Sequence, residues 1–453
     1  MLPVDLGIPD IAALPGIAAT AASLEAWKVL SERMHRRVFL RSEGTSVTVG
    51  APQVVSGALR AQAERVVAAV NRFYAGVADA YYTRPELRDE LLVNPLLEPL
   101  LALEREQAVS TPLSRIDTVL SADGHIRAIE INSNGVCLFH LRSLLYLIRE
   151  LARGGFTGEA ERLDALARET VVTGFLRYAA LEPGRPGQRR PVIGSLTPSG
   201  FHRASQLLYR AAFERAGCDY VFGGPEHLEV TDRDIRLRGT PVDLLWSDFF
   251  LYLAYQSARY QETKWPTKMP DFGKTPAQAE ALLADPRFVG HLRSGRVRHI
   301  SPARSYLALA KSLLAWVHRE DRPVPEADRA FLQDHVARTY SARERTDGSI
   351  TLDTVTSDRG AYLVKPCQYG GSHGVLLGRL ATAETWRERL DQIWDDPSWV
   401  VQDFHEPVKT ADGAWLSLGL ANLDGVLGGF YLRTSPSLLV NARDAAFIPG
   451  VAG

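Results

Sequence analysis

Two segments far apart in this chain carry residue types that could do chemistry. They are Arg115-Ile-Asp117 with Glu130-Ile-Asn132, and Leu363-Val-Lys-Pro-Cys-Gln-Tyr-Gly-Gly-Ser-His-Gly374. The first offers two carboxylates and an amide oxygen at alternating positions of short apolar runs. Alternate side chains of an extended strand share a face, so these hard oxygen donors would converge, as an octahedral Mg²⁺ that keeps several waters requires. The second sets Lys365 at the end of an apolar run. It is followed by Gly370 and Gly371, where a backbone without Cβ atoms can approach phosphate closely. A lysine beside a glycine loop, together with oxygen ligands for a divalent ion, describes a site for ATP and Mg²⁺.

The elements that must position these residues can be read from periodicity. Ser114 to Leu120 and Ile126 to Ile131 read as two strands joined by a turn with Asp123-Gly124, a hairpin that carries Arg115, Asp117, Glu130 and Asn132. Before it, from about Ser23 to Glu106, apolar groups recur every three or four residues, which predicts a helical N-terminal section over 1–110. The hairpin with helices from about Phe139 to Arg153 and from Glu159 to Ala180 makes a metal-binding part over 111–185. The Pro/Gly-rich run Glu182 to Pro191 then reads as a boundary. A strand at Pro191 to Leu196, a helix at Phe201 to Ala216 and a strand at Cys218 to Phe222 form a β-α-β unit. With a hairpin at Leu228 to Leu237 and a strand at Pro241 to Trp246, residues 190–260 read as a Rossmann-like substrate subdomain. Its Thr197-Pro-Ser-Gly200 loop would lie at the carboxyl edge of the sheet, where ligands usually bind. Residues 261–300 read as a connecting or lid segment that includes the Lys264 to Lys274 stretch, and 301–453 as the nucleotide-binding part. The fold class expected is α/β (α+β).

The hairpin residues, followed only later by Lys365-Pro366 and the glycine loop, resemble the glutathionylspermidine synthetase group of circularly permuted ATP-grasp ligases, over roughly residues 110 to 453. Order carries the resemblance, because in ordinary ATP-grasp enzymes the lysine strands precede the metal strand. The resemblance implies an ATP-grasp fold and activation of a carboxylate by ATP before an amine attacks. It implies Asp117, Glu130 and Asn132 as ligands of Mg²⁺, and Lys311 and Lys365 on the phosphates. Arg115 would then sit on the transferring phosphoryl group, with Arg433 and Asn441 near the phosphates. Ser305 to Val317 is expected as the helix bearing Lys311. Trp399 to Phe404 suits a hinge at Gln402 whose backbone reads adenine, with either Asp403 or Glu406 holding the ribose. Where many relatives follow the last Rossmann strand with a basic residue, this chain has Ser247-Asp248, which leaves the substrate there open.

Composition agrees with a small-molecule enzyme. The chain has 453 residues, 45% hydrophobic and 23% charged, with a formal net charge of −1, so it has ordinary globular composition and no overall field for nucleic acid or an anionic membrane. Only seven of its 52 basic residues are lysine, and Lys311 and Lys365 are two of them. Cys137, Cys218 and Cys367 form no metal or disulfide pattern, and no run is apolar and long enough to span a bilayer, so a cytoplasmic enzyme is expected. The partners expected are a small carboxylate and a small amine, with the oligomeric state open. Simpler readings compete. Asp117 and Glu130 could be solvated hairpin residues, Lys311 a snorkelling surface group, and Gly370-Gly371 a plain tight turn. A phosphotransferase or an inert ATP-binding module would use the same residues.

Overall fold

In the computed structural model of this chain, the residues described are 17–19, 40–42, 45–49, 53–93, 97–105, 113–133, 139–184, 188–197, 203–247, 275–300, 303–368, 372, 374–410, 413–440 and 446–452. They form an α+β architecture of helices packed against several sheets. None of the described helices is long and apolar enough to cross a membrane.

The largest sheet has nine strands. They are β1 (Ile17–Ala19), β2 (Leu40–Ser42), β3 (Thr45–Val49), β4 (Gln53–Val55), β5 (Leu113–Leu120), β6 (Ile126–Asn132), β18 (Trp415–Leu423), β19 (Val426–Ser435) and β20 (Ala446–Ala452), with the numbers between assigned below. The main order is β1-β4-β20-β19-β18-β5-β6, with β3 also on β20 and β2 on β3. The hairpin β5–β6 is the one expected, and it forms an end of this sheet because β18, from the far end of the chain, pairs with β5. The N-terminal section is not helical throughout. β2, β3 and β4 precede the helix Gly57–Thr83, and β3 and β4 run parallel to β20. Valine-rich stretches such as 45–49 and 53–55 suit a strand, and a partner almost 400 residues away makes them one. The helix itself starts where the Ser56 hydroxyl accepts from the Leu59 amide at 3.3 Å. It buries Val66, Val70, Phe73 and Val77 in the main core, which also takes in Leu416, Leu418 and Leu420 of β18.

A second sheet is wholly parallel. β7 (Val192–Leu196), β8 (Asp219–Gly223), β12 (Leu244–Trp246) and β13 (Arg298–Ile300) lie in the order β13-β12-β7-β8. The meander β9 (Leu228–Val230), β10 (Ile235–Leu237) and β11 (Thr240–Pro241) is separate, so the single strand expected at Pro241 to Trp246 is split between two sheets. β13 belongs to the segment read as a connection; its described part holds helices Thr275–Ala284 and Pro286–Arg293 and returns a strand to the parallel sheet.

The third sheet carries Lys365. Its strands β14 (Thr339–Tyr340), β15 (Tyr362–Pro366), β16 (Leu376–Leu377) and β17 (Trp399–Asp403) are antiparallel in the order β14-β17-β15-β16, and the helix Ala383–Ile393 covers one face through Trp386 and Leu390. The helix expected at Ser305 to Val317 is broken. A 3₁₀ segment Ala303–Ala308 is followed by a turn and by the short helix Leu313–Trp316, and Lys311 sits in the turn. The Lys311 amide donates to the Cys367 carbonyl at 2.9 Å, a tertiary bond in place of a helical one. The final strand is β20, downstream of the segment ending at Asn441, which lies outside the described residues.

Candidate functional site

The site is made where the edge strand β6 meets the lysine sheet. Ala128 bridges to Val336, the Ala337 amide donates to the Ala128 carbonyl at 2.9 Å, and Nδ1 of His335 lies 2.7 Å from the Ile126 carbonyl. The register within the hairpin then slips. Asp117 faces Glu130 but Thr118 faces Ala128, leaving Ile129 as the extra residue of a β-bulge. Its carbonyl turns to the other sheet and accepts from Lys365 Nζ at 2.6 Å and Gln402 Nε2 at 3.3 Å. One backbone irregularity thus joins the two segments whose residue types suggested chemistry.

Lys365 is 4% exposed and its ammonium also donates to Gln402 Oε1 at 2.8 Å. Both acceptors are neutral. Burial and the Lys311 ammonium push the Lys365 pKa down to about 7, against the pull of Glu130 and Asp117. Lys311 is itself buried, with Nζ 3.4 Å from Glu130 Oε1, so it is no surface group. Gln402 is fully buried, its amide nitrogen 2.7 Å from Thr339 Oγ1. Its side chain orients Lys365.

On the hairpin, the register pairs Arg115 with Asn132 and Asp117 with Glu130, so the four polar groups share a face as alternation predicts. Asp117 is held in a clasp. Arg115 donates to Asp117 from Nε at 2.5 Å and from a terminal nitrogen at 3.0 Å, and Arg433 donates to the same carboxylate at 3.1 Å and to Ser417 Oγ at 2.9 Å. Burial raises the Asp117 pKa, but the two guanidiniums outweigh it and hold the carboxyl low, at about 2. Both guanidiniums also lie 5.6 Å from the centre of the Tyr431 ring. Gly419 makes room for this, because a Cβ there would come within 3.2 Å of Arg115 Cδ and 3.3 Å of Tyr431 Cβ. Ser417, Gly419 and Tyr431 carry no signal in the sequence; they reach the site because β18 pairs with β5 and β19 with β18. The side-chain nitrogen of Asn132 is buried with no hydrogen-bond partner among the described residues.

The remaining expected residues are placed less centrally. The amides of Asp403 and Phe404 donate to the carbonyls of Arg338 and Ala361 at 2.9 and 2.7 Å, so these two amides are spent within the sheet. Asp403 is half-buried, and burial raises its pKa against the pull of Arg338. Glu406 is exposed and pairs with Arg379 at 3.1 Å. Gly370, Gly371 and the segment 264–274 lie outside the described residues. Gly374 has φ +75°, and a Cβ there would meet Pro366 Cγ at 2.9 Å, so Gly374 packs closely against the end of β15.

Among the described residues His125, Asp334 and His335 form a second group with metal-type atoms. The two imidazoles stack at 4.4 Å with their planes 7° apart, so one ion cannot lie in both ring planes, and the group as it stands is a packing contact.

No protein-family model matches this chain, and no curated protein matches it. Among solved structures the chain is similar to one described as "Putative gamma-glutamylcysteine synthetase" from Methylobacillus flagellatus KT. That alignment has a TM-score of 0.39 at 10% identity and covers 82% of this chain and 83% of the other. A likeness so loose informs neither fold nor reaction.

Proposed function

We propose that this protein is an ADP-forming, ATP-dependent ligase that joins a small carboxylate to a small amine, on a circularly permuted ATP-grasp scaffold. The observation that carries the reading is the seam at Ile129, which sets Lys365 and Lys311 against the Asp117–Glu130–Asn132 face. Two buried lysines and two arginines beside a carboxylate row suit a triphosphate and its counter-ions. Glu130, Asn132 and Asp117 fit Mg²⁺, with Asp117 needing one arginine to move away. The ion, when bound, neutralises phosphate charge. In the reaction a carboxylate oxygen attacks the γ-phosphorus of ATP and ADP leaves. The amine then attacks the acyl carbon of the acyl phosphate and inorganic phosphate departs, with the nitrogen's proton lost to solvent. Lys311 and Lys365 hold the phosphates still, Arg115 and Arg433 stabilise the transferring group, and the donor on Asn132 takes a phosphate oxygen.

The decisive experiment uses an acid labelled with ¹⁸O in its carboxylate, after amino acids and polyamines have been screened for substrate-dependent ADP release. A ligase transfers one label to the phosphate whenever the amine is present. A stable phosphorylated product with unlabelled phosphate would instead mark a phosphotransferase. Glu130→Gln keeps the shape but removes charge from the metal face, and should lower turnover by about a hundredfold or more at saturating Mg²⁺. Near-parental turnover would remove Glu130 from the site.

Nucleotide affinity has its own signature. Free Lys365 is about half-protonated near pH 7, and contact with phosphate favours its charged form. ATP binding therefore takes up protons, and affinity falls as pH rises above about 7, approaching tenfold per unit. Lys365→Ala should weaken ATP by about tenfold or more, one charge-assisted contact being worth about 1.5–3 kcal/mol, and should flatten this pH dependence. Calorimetry in buffers of different ionisation enthalpy checks both. Unchanged affinity in Lys365→Ala would exclude the contact.

A further inference from the structure

A cavity of about 320 Å³ lies beside β14, the end strand of the lysine sheet, and shares no residue with the site proposed above. Its volume is at the lower end of the roughly 300–1,000 Å³ of small-molecule sites. Its walls are the turn after the helix Leu313–Trp316, β14 with Arg338 before it, and the turn that carries the helix Ala342–Thr346 on to Ser349, and every residue of these elements is described. Most of the charge around it is spent within the chain. Glu344 closes the capping box of its own helix and takes Arg319 at 2.8 Å, Arg319 and Arg322 reach Asp321 at 3.0 and 3.2 Å, and Arg322 and Arg343 share Glu90. Three arginines thus balance three carboxylates. Exposed Arg338, Glu320 and Asp347 are left over on the cavity wall. The Arg338 guanidinium lies 5.3 Å from the centre of the Tyr340 ring, and neither it nor the Glu320 carboxylate has a hydrogen bond or an ion pair among the described residues. Asp347 accepts from the Ser349 amide at 2.9 Å and its hydroxyl at 2.5 Å through one oxygen. His318, also on the wall, adds no charge at neutral pH, because burial, with Arg338 nearby, lowers its pKa to about 4.

We propose that this cavity binds a free amino acid with a basic side chain, its carboxylate on Arg338 and its two cationic nitrogens against Glu320 and Asp347. One guanidinium and two carboxylates remain to be matched, and a ligand with one carboxylate and two cationic nitrogens is their complement. The flat fork of an arginine fits a carboxylate with two parallel hydrogen bonds. A simple anion would meet two like charges for one opposite charge. A diamine would set a cation near Arg338 with nothing to receive the guanidinium. Between the charged ends, Ala315 and the buried Tyr340 ring give the ligand's methylenes an apolar wall.

The test follows the ring signals of His318 in the full chain, labelled with ¹⁵N-histidine and identified through His318→Gln, during titration with L-lysine at fixed ionic strength. L-lysine is expected to move them saturably. Cadaverine, which lacks the carboxylate, and norleucine, which lacks the side-chain ammonium, should each bind at least about tenfold more weakly, the share of one charge-assisted contact. Arg338→Gln and Glu320→Gln alter exposed side chains, so they should melt like the parent and yet each weaken L-lysine by about tenfold. Lys365→Ala should leave L-lysine affinity unchanged, which separates this cavity from the site of the proposed reaction, where an amino acid could bind as substrate. Unmoved His318 signals, cadaverine or norleucine binding as tightly as L-lysine, parental affinity in Arg338→Gln or Glu320→Gln, or loss of L-lysine binding in Lys365→Ala would each overturn the proposal.

Discussion

Replacing Arg115 with alanine is expected to lower amine-dependent ADP release by about 10³-fold or more while ATP affinity changes by only a few-fold. Arginines at a transferring phosphoryl group are worth roughly 10³–10⁵ in rate, because the charge they meet is spread over the equatorial oxygens only in the transition state. The structure adds two further expectations. Arg433 also holds Asp117, so the hairpin should stay folded in Arg115→Ala, and Arg115→Lys should recover little, because an ammonium lacks the fork that spans both Asp117 oxygens. Steady-state rates and calorimetric ATP affinity, measured on the same preparations, separate the two effects. A loss of less than tenfold, or a loss matched by the fall in ATP affinity, would take Arg115 out of the chemical step.

The second large effect concerns stability and does not depend on the reaction. Arg345 is 5% exposed, and its described hydrogen bonds run to main-chain carbonyls. Nε donates to Trp394 at 2.7 Å, one terminal nitrogen to Trp399 at 2.8 Å and Tyr340 at 3.4 Å, and the other to Asp396 at 2.8 Å and Ile393 at 3.4 Å. One guanidinium therefore ties the end of the helix Ala383–Ile393 to β14 and β17 and so supports the sheet that carries Lys365. Burial lowers its pKa against the attraction of nearby acids. Arg345→Met fills similar space but leaves several buried carbonyls without donors, at about 1–3 kcal/mol each, so a loss of at least about 3 kcal/mol is expected. Hydrogen exchange in β17 and the helix should accelerate before that in the parallel sheet. Melting and exchange indistinguishable from the parent would show that water replaces the guanidinium without cost.

The residues of the proposed site were legible because they obey local rules. Alternation along Arg115 to Asp117 and Glu130 to Asn132 fixes a shared face once an Asp-Gly turn closes the hairpin, and an apolar run ending in Lys365-Pro366 defines a strand with a polar end. The β-α-β pattern after Pro191 is equally local, since periodicities of two and about four residues specify strand and helix without outside help. What tertiary structure decided lies where partners come from far along the chain. β3 and β4 read as part of a helical section until β20 pairs with them. Lys311 reads as helical until its amide is taken by Cys367. The bulge at Ile129 has no sequence mark, because an extra residue in one strand is defined only against the opposite strand and by what receives its freed carbonyl. Asp117 reads as a metal ligand from its type and place, yet it rests between Arg115 and Arg433, an arrangement set by the packing of β18 and β19 beside β5. Sequence determined which groups share a face. Long-range pairing determined which groups meet across faces, because a strand's side-chain directions are local while its neighbours are chosen by the whole fold.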